Sequence, residues 1–390
     1  MKRNIMLLSL SQAALITGTS TLLASSAIVG LALAGHKSLA TMPLALLFLA
    51  QMVTTIPASL YMARVGRRLG FMTSALFGLT GAAVATGGVI KADFSIFCLG
   101  TTLIGMFNGF GQYYRFTAAE VAPEDYRSRA ISYVLAGGVI AAFAGPNLAN
   151  WSRHLLSTEF AGSYACLIGL YLLAFGFASI LQIPKPAVVS RSPGGRALSV
   201  IARQPAYLAA VTSAMVGYGV MNFIMIATPL AMHGYAHAFS DTAFVIQWHI
   251  LGMFIPSFFT GHLIRRFGTA NIMLAGILLL GMCVLINFAG TSVTHFWSAL
   301  VLLGLGWNFL FVGATTLLTG TYSPDEKAKA QALNDFIVFG TVTITSFSSG
   351  AVQHALGWQT LNMAVIPFLV LVGIANLWLR SKSPEKVSNK

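Results

Sequence analysis

Twelve apolar runs, each about as long as a bilayer is thick, constrain this chain more than any other feature. They lie near residues 6–34, 40–62, 70–90, 94–117, 130–151, 162–183, 206–231, 242–264, 270–290, 294–318, 334–355 and 359–379. A helix needs about 20 mostly apolar residues to cross the hydrocarbon core, and a spanning helix satisfies its backbone polar groups internally. The chain is thus expected to be an all-α integral membrane protein with twelve transmembrane helices. Only 8% of its 390 residues are charged, against about 25% in a soluble domain. That is too few to cover a water-facing surface, which excludes an ordinary soluble enzyme.

The gaps between runs are short except at 184–205, where Pro, Gly, Ser and Arg cluster. This stretch reads as a linker. It divides the chain into residues 1–183, a six-helix bundle, and residues 206–390, a second one. The net charge of +13 does not indicate nucleic-acid binding, because the basic residues form short clusters between apolar runs rather than one basic face. With the N-terminus inside, nineteen Lys and Arg fall on cytoplasmic segments and three (Lys37, Lys91, Arg153) on external ones. By the positive-inside rule both termini are cytoplasmic, in a bacterial inner membrane. Cys98, Cys166 and Cys283 all lie inside apolar runs and read as buried thiols. His233 and His237, near Asp241, make no convincing metal site, and no nucleotide-binding or hydrolase motif is present. No metal or cofactor is expected.

The two halves repeat with an offset near 202 residues. Arg64-Val65-Gly66 after the second run matches Arg266-Phe267-Gly268 after the eighth. Ala122-Pro123-Glu124-Asp125 matches Ser323-Pro324-Asp325-Glu326. The latter is also a capping box, with Pro at the first helical position. Parallel repeats of this kind are one design of secondary transporters.

On these motifs the chain resembles the major facilitator superfamily over nearly its whole length. The family's loop signature Gly-x-x-x-Asp-Arg-x-Gly-Arg-Arg is matched by Ser59-Leu-Tyr-Met-Ala63-Arg64-Val-Gly66-Arg67-Arg68, with Ser59 and Ala63 in place of the Gly and the Asp. Its fourth-helix signature Arg-x-x-Gln-Gly-x-Gly appears as Gly105-Met-Phe-Asn108-Gly109-Phe-Gly111, without the Arg. The Gly-Pro of many proton-coupled drug exporters is Gly145-Pro146, followed by Asn147. The resemblance implies a solute site near the bilayer midplane, opened to each side in turn. It also implies that the loop acid meets the start of the eleventh helix; with Ala63 at that position, Asp335 is expected to substitute.

Polar side chains deep in a span are costly and mark pathways. The candidates are Gln12, Asn108, Gln112, Arg115, Asn222, Gln247, His249, Trp307 and Asn308. Asn108, Gln112 and Arg115 are spaced to share one helical face. The alternative for Arg115 is a snorkelling helix end, and for the Asn residues and His249 it is interhelical bonding. None of the ten acids lies at the centre of a span, so a midplane carboxylate proton carrier is absent. Arg64, Arg67, Arg68, Glu120 and Asp335 are expected to pair across the two halves as a cytoplasmic gate.

The polar groups suit a small neutral or weakly anionic amphipathic solute: a metabolite or vitamin taken up by a monomeric secondary transporter, flavin-like compounds among the possibilities. The bilayer is the second partner, and protons are the candidate coupling ion. Efflux of drugs or toxic amphiphiles by proton antiport is the alternative, and a non-transporting sensor or assembly factor is the alternative of another class.

Overall fold

A computed structural model describes residues 1–123, 126–183 and 195–382. Glu124 and Asp125 of the loop repeat, residues 184–194 of the linker and the C-terminal residues 383–390 lie outside the described residues. Among the described residues every element is helical and there are no strands. In chain order the helices are α1 (Lys2–Leu33), α2 (Met42–Val65), α3 (Arg67–Ile90), α4 (Phe94–Gly111), α5 (Tyr114–Glu120), α6 (Arg127–Ser152), α7 (Ala161–Ser179), α8 (Leu198–Ala202), α9 (Pro205–Gly234), α10 (Phe239–Phe254), α11 (Ser257–Phe267), α12 (Thr269–Ala289), α13 (Val293–Thr319) and α14 (Lys327–Lys382).

All twelve apolar runs fall on these helices. Nine helices among the described residues are long and apolar enough to cross a membrane, and the bent pair α10–α11, 44° apart, makes ten. The last two runs are joined in α14, broken only at Gly357 with φ 76° and ψ 176°. The expected eighth run is likewise divided at Ile255-Pro256, because proline removes a backbone donor from the helix ladder. The fold is an all-α integral membrane protein, consistent with twelve spans.

The repeat is visible in backbone geometry. Gly66 links α2 to α3 at φ 90° and ψ 162°. Gly268 links α11 to α12 at φ 83° and ψ 151°. Both sit where only glycine is unstrained, at equivalent places in the two halves. The helices that follow each glycine start without a side-chain cap. By contrast α4 and α13 both open on one: Asp93 accepts from the Ile96 amide and Ser292 from the His295 amide.

The residues form two compact units. The first comprises Met1–Val189, Ile226–Gln247 and Ser346–Ala355. Within it α1 packs on α6 and α7, and α4 on α2 and α3. Most α1 hydroxyls bond their own helix: Ser9, Ser11 and Thr19 donate to the carbonyls four residues earlier. The C-terminal segments of this unit are held by specific contacts. Thr41 Oγ1 donates to the Ser346 carbonyl at 2.8 Å and accepts from the Gly350 amide at 3.1 Å. The Phe160 and Phe239 rings meet edge to face at 4.8 Å, with the Arg153 guanidinium over both. These contacts group the end of α9, the start of α10 and the middle of α14 with the first seven helices.

The second unit comprises Ser190–Met225, Trp248–Thr345 and Leu356–Lys390. In it α12 packs on α13. Buried amides tie its helices together: Asn287 Nδ2 donates to Asn362 Oδ1 at 2.7 Å, and Asn376 Nδ2 to Ser213 Oγ at 3.0 Å. Interhelical bonds of this type contribute about 0.6 kcal/mol each in membrane proteins.

Candidate substrate pathway

Asn108 is 1% exposed on α4. Its Nδ2 donates to Thr19 Oγ1 at 3.0 Å, while its Oδ1 has no partner among the described residues. An unpaired buried amide oxygen costs about 1–3 kcal/mol, which a bound donor would recover. Gln112 and Arg115 were expected to continue the helical face of Asn108, and the helix is tightened between them. α4 ends at Gly111, and the Tyr113 amide bonds the Phe110 carbonyl three residues back. This tighter turn, with αR backbone at Gln112 and Tyr113, separates α4 from α5. Gln112 is half-buried in the turn, and half-buried Arg115 lies over the Phe116 ring at 4.9 Å. Gln12 is half-buried on α1.

Gln247, the last residue of α10 in the first unit, accepts from Asn147 Nδ2 at 2.6 Å. Asn147 follows Gly145-Pro146 on α6, where the drug-exporter pattern would have a small residue. The amide at 147 thus has a defined task, which the sequence comparison alone did not reveal.

In the second unit, fully buried His249 bonds the Leu300 carbonyl through Nδ1 at 2.9 Å. A carbonyl only accepts, so Nδ1 carries the hydrogen and the ring ties α10 to α13. Asn308 is fully engaged. It donates to the Met253 carbonyl at 2.8 Å and to Ser257 Oγ at 2.6 Å, and accepts from Thr260 at 2.6 Å. These bonds fasten α13 to both sides of the break at Ile255-Pro256, the first by satisfying a backbone carbonyl. Asn222 is 1% exposed and donates to the Val342 carbonyl at 3.1 Å and Thr345 Oγ1 at 3.0 Å. Trp307 is 7% exposed, and its indole Nε1 has no partner among the described residues.

The expected gate residues are arranged differently from the sequence reading. Arg67, the first residue of α3, holds Glu120, the last of α5, with both carboxylate oxygens engaged at 2.6 and 3.0 Å. The guanidinium also lies over Tyr113 at 5.4 Å. This pair forms within the first half of the sequence, because α4 packs along α3 and α5 continues the same span as far as Glu120. Arg64 and Arg68 are exposed. Asp335 is exposed on α14 and accepts from Asn334 Nδ2 at 3.0 Å. A cavity of about 280 Å³ at the starts of α1 and α6, lined by Lys2, Ile5, Met6, Ser9, Tyr126 and Tyr133, contains none of the expected pathway residues.

Comparison with known proteins decides the family. The chain is 41% identical over 387 residues to "Riboflavin transporter RfnT" of Brucella anthropi, covering 98% of this chain and 96% of that one. The chain belongs to the major facilitator superfamily. The model of that superfamily matches residues 211–390. "Uncharacterized MFS-type transporter YdeG" of Bacillus subtilis is 28% identical, covering 97% of this chain and 90% of its own. Among solved structures, an auto-inhibited POT family peptide transporter superposes with a TM-score of 0.70 at 12% identity, covering 99% and 98% of the two chains. The human organic anion transporter MFSD10 gives 0.69 at 13% identity, covering 96% and 99%. At such identities these two show the fold alone. The chain is a multi-pass membrane transporter of a small solute.

Proposed function

We propose that this superfamily member takes up riboflavin, or a flavin close to it, across the bacterial inner membrane. The full-length similarity to a riboflavin transporter carries the proposal. The chemistry of the spans supports it. Asn108, Asn222 and Trp307 bury neutral amides and an indole in the spans, and all ten acids lie away from the span centres. Riboflavin is a neutral planar heteroaromatic with a polyol tail. It needs hydrogen-bonding groups and flat apolar surfaces rather than a counter-charge.

In this reading residues 1–183 and 206–390 are the two six-helix bundles joined by 184–205, both termini are cytoplasmic, and the protein works as a monomer without a chemical step. The bundles rock to expose the solute to each side. Thr41, Arg153 and Phe160 then close the outer side against Phe239, Ser346 and Gly350. The Arg67–Glu120 pair braces the cytoplasmic end of the first bundle, and Arg64, Arg68 and Asp335 are proposed to take part as that end closes. Protons are the proposed coupling ion. The test is growth of a riboflavin auxotroph lacking its own uptake system. Expression of this chain should restore growth at micromolar riboflavin; no rescue from a correctly inserted protein rejects the substrate.

A further inference from the structure

Four aromatic rings from three helices of the second unit converge on one place. Trp307 and Phe311, one turn apart on α13, stack nearly parallel at 9° with centroids 5.0 Å apart. Tyr218 of α9 stands edge-on to both, 5.3 Å from Trp307 at 89° and 5.6 Å from Phe311 at 83°. Phe339 of α14 closes the group, 6.1 Å from Tyr218 at 60°. Rings drawn from three helices lie where those helices face one another, not on their lipid sides.

The backbone around Tyr218 is built for this approach. A Cβ at Gly217 would come within 2.8 Å of Leu310 on α13, and one at Gly219 within 2.9 Å of Thr341 on α14. The two glycines let α9 press between α13 and α14 and deliver the tyrosine ring into the group. Asn222, one turn further along α9, fixes the same helix face to α14 through its bonds to Val342 and Thr345.

Two features together leave this cluster open to a ligand. Tyr218, Phe311 and Phe339 are only partly buried, so the group is not closed on every side. Trp307 is over nine-tenths buried, yet its indole N–H meets no acceptor among the described residues. Buried indole N–H groups ordinarily find a partner, and each one that does not calls for an explanation.

We propose that Tyr218, Trp307, Phe311 and Phe339 form a ring-binding subsite for a planar, neutral heteroaromatic solute, with Trp307 Nε1 donating to a carbonyl or ring nitrogen on its edge. The ligand class rests on the flavin reading above; the subsite itself rests on the geometry. Edge and face contacts among the four rings supply the apolar walls, and the indole donor sets the orientation. The subsite recognises the ring system, not the polyol tail.

The experiment measures equilibrium binding to purified detergent-solubilised protein of riboflavin, of lumiflavin (the ring without the polyol) and of ribitol (the polyol alone). Wild type should bind both flavins, and ribitol should not compete. Trp307→Phe keeps a flat ring but removes the donor and should weaken lumiflavin about fivefold. Trp307→Leu removes both and should weaken it about 50-fold. Phe311→Leu is the second handle should the Trp307 variants fail to fold, and should weaken lumiflavin about fivefold. Unchanged melting temperature in a variant with weakened binding separates ligand contact from structural support. Wild type that binds riboflavin, with folded variants binding lumiflavin within twofold of it, overturns the subsite and leaves the flavin reading intact. Wild type that binds neither flavin overturns both.

Discussion

Arg196 grips Glu326 with its backbone and its side chain at once. Its amide donates to Glu326 Oε1 at 2.6 Å, Nε to the same oxygen at 2.9 Å, and a terminal guanidinium nitrogen to Oε2 at 2.7 Å. Glu326 also accepts from the Ser323 amide at 3.0 Å. The last bond is the reciprocal half of the capping box expected from Ser323-Pro324-Asp325-Glu326. The carboxylate therefore does two things: it starts α14 and it pins the C-terminal end of the linker. Gly195 makes room for this, since a Cβ there would lie 2.5 Å from Glu326 Cγ. The Arg196 side-chain bond, followed by the Ser323 amide, holds the Glu326 carboxyl well below its ordinary range.

That depression fixes a pH dependence. A carboxylate whose folded pKa lies below its unfolded value stabilises the fold above the unfolded value, about 4.3, and loses that contribution as pH falls towards the folded one. Melting temperature measured by intrinsic fluorescence should be insensitive to this group between pH 6 and 8 and should decline below about pH 4. Glu326→Gln should lower the melting temperature by a few degrees at pH 7 and flatten the acid decline. An unchanged acid limb in that variant would show that the grip contributes nothing.

Asn108 and Asn308 predict opposite behaviour. Asn108 retains an unbonded buried oxygen, whereas Asn308 has both ends committed to the break between α10 and α11. Asn108→Ala should weaken flavin uptake three- to tenfold, mainly through KM, as the loss of one neutral hydrogen bond. Asn308→Ala should instead destabilise the protein by about 1–3 kcal/mol by orphaning buried partners. Uptake kinetics set beside melting temperatures for both variants would decide. A stability defect in Asn108→Ala with normal KM would remove Asn108 from the pathway.

The fold was far more legible in the sequence than the site. All twelve apolar runs became helix, because length and hydropathy are local properties that the bilayer reads directly. The repeat was legible because Gly66 and Gly268 are required by backbone geometry. Polar residues were harder, since type and depth do not reveal a partner. His249 and Asn308, read as pathway candidates, also tie α10 and α11 to α13, which their type and depth did not reveal. The pairing of Glu120 with Arg67 was among those expected, but it lies within the first half of the sequence rather than across the two halves. Tyr218, Phe311 and Phe339 were missed altogether. In a chain with 27 Phe and 11 Tyr, convergence of rings from three helices leaves no pattern along the sequence, although the i, i+4 spacing of Trp307 and Phe311 was a partial signal.

Thr41 provides a test of the proposed outer closure. Its hydroxyl both donates to Ser346 and accepts from Gly350, and a Cβ at Gly350 would fall 2.6 Å from it. Thr41→Val removes both bonds while keeping the shape, and Gly350→Ala forces the segments apart. Each should increase labelling of cysteines placed nearby by an impermeant reagent added outside, about two- to tenfold for a contact of 0.5–1.5 kcal/mol. Equal labelling of variants and wild type would mean that these bonds do not hold the outer side shut.

The central claim is that this superfamily member carries a flavin across the membrane. Purified protein in liposomes preloaded with unlabelled riboflavin, diluted into a trace of radiolabelled riboflavin, tests it most directly. The account predicts transient accumulation of label above equilibrium, suppressed by external lumiflavin and unaffected by ribitol. Accumulation no greater than in protein-free liposomes would contradict it.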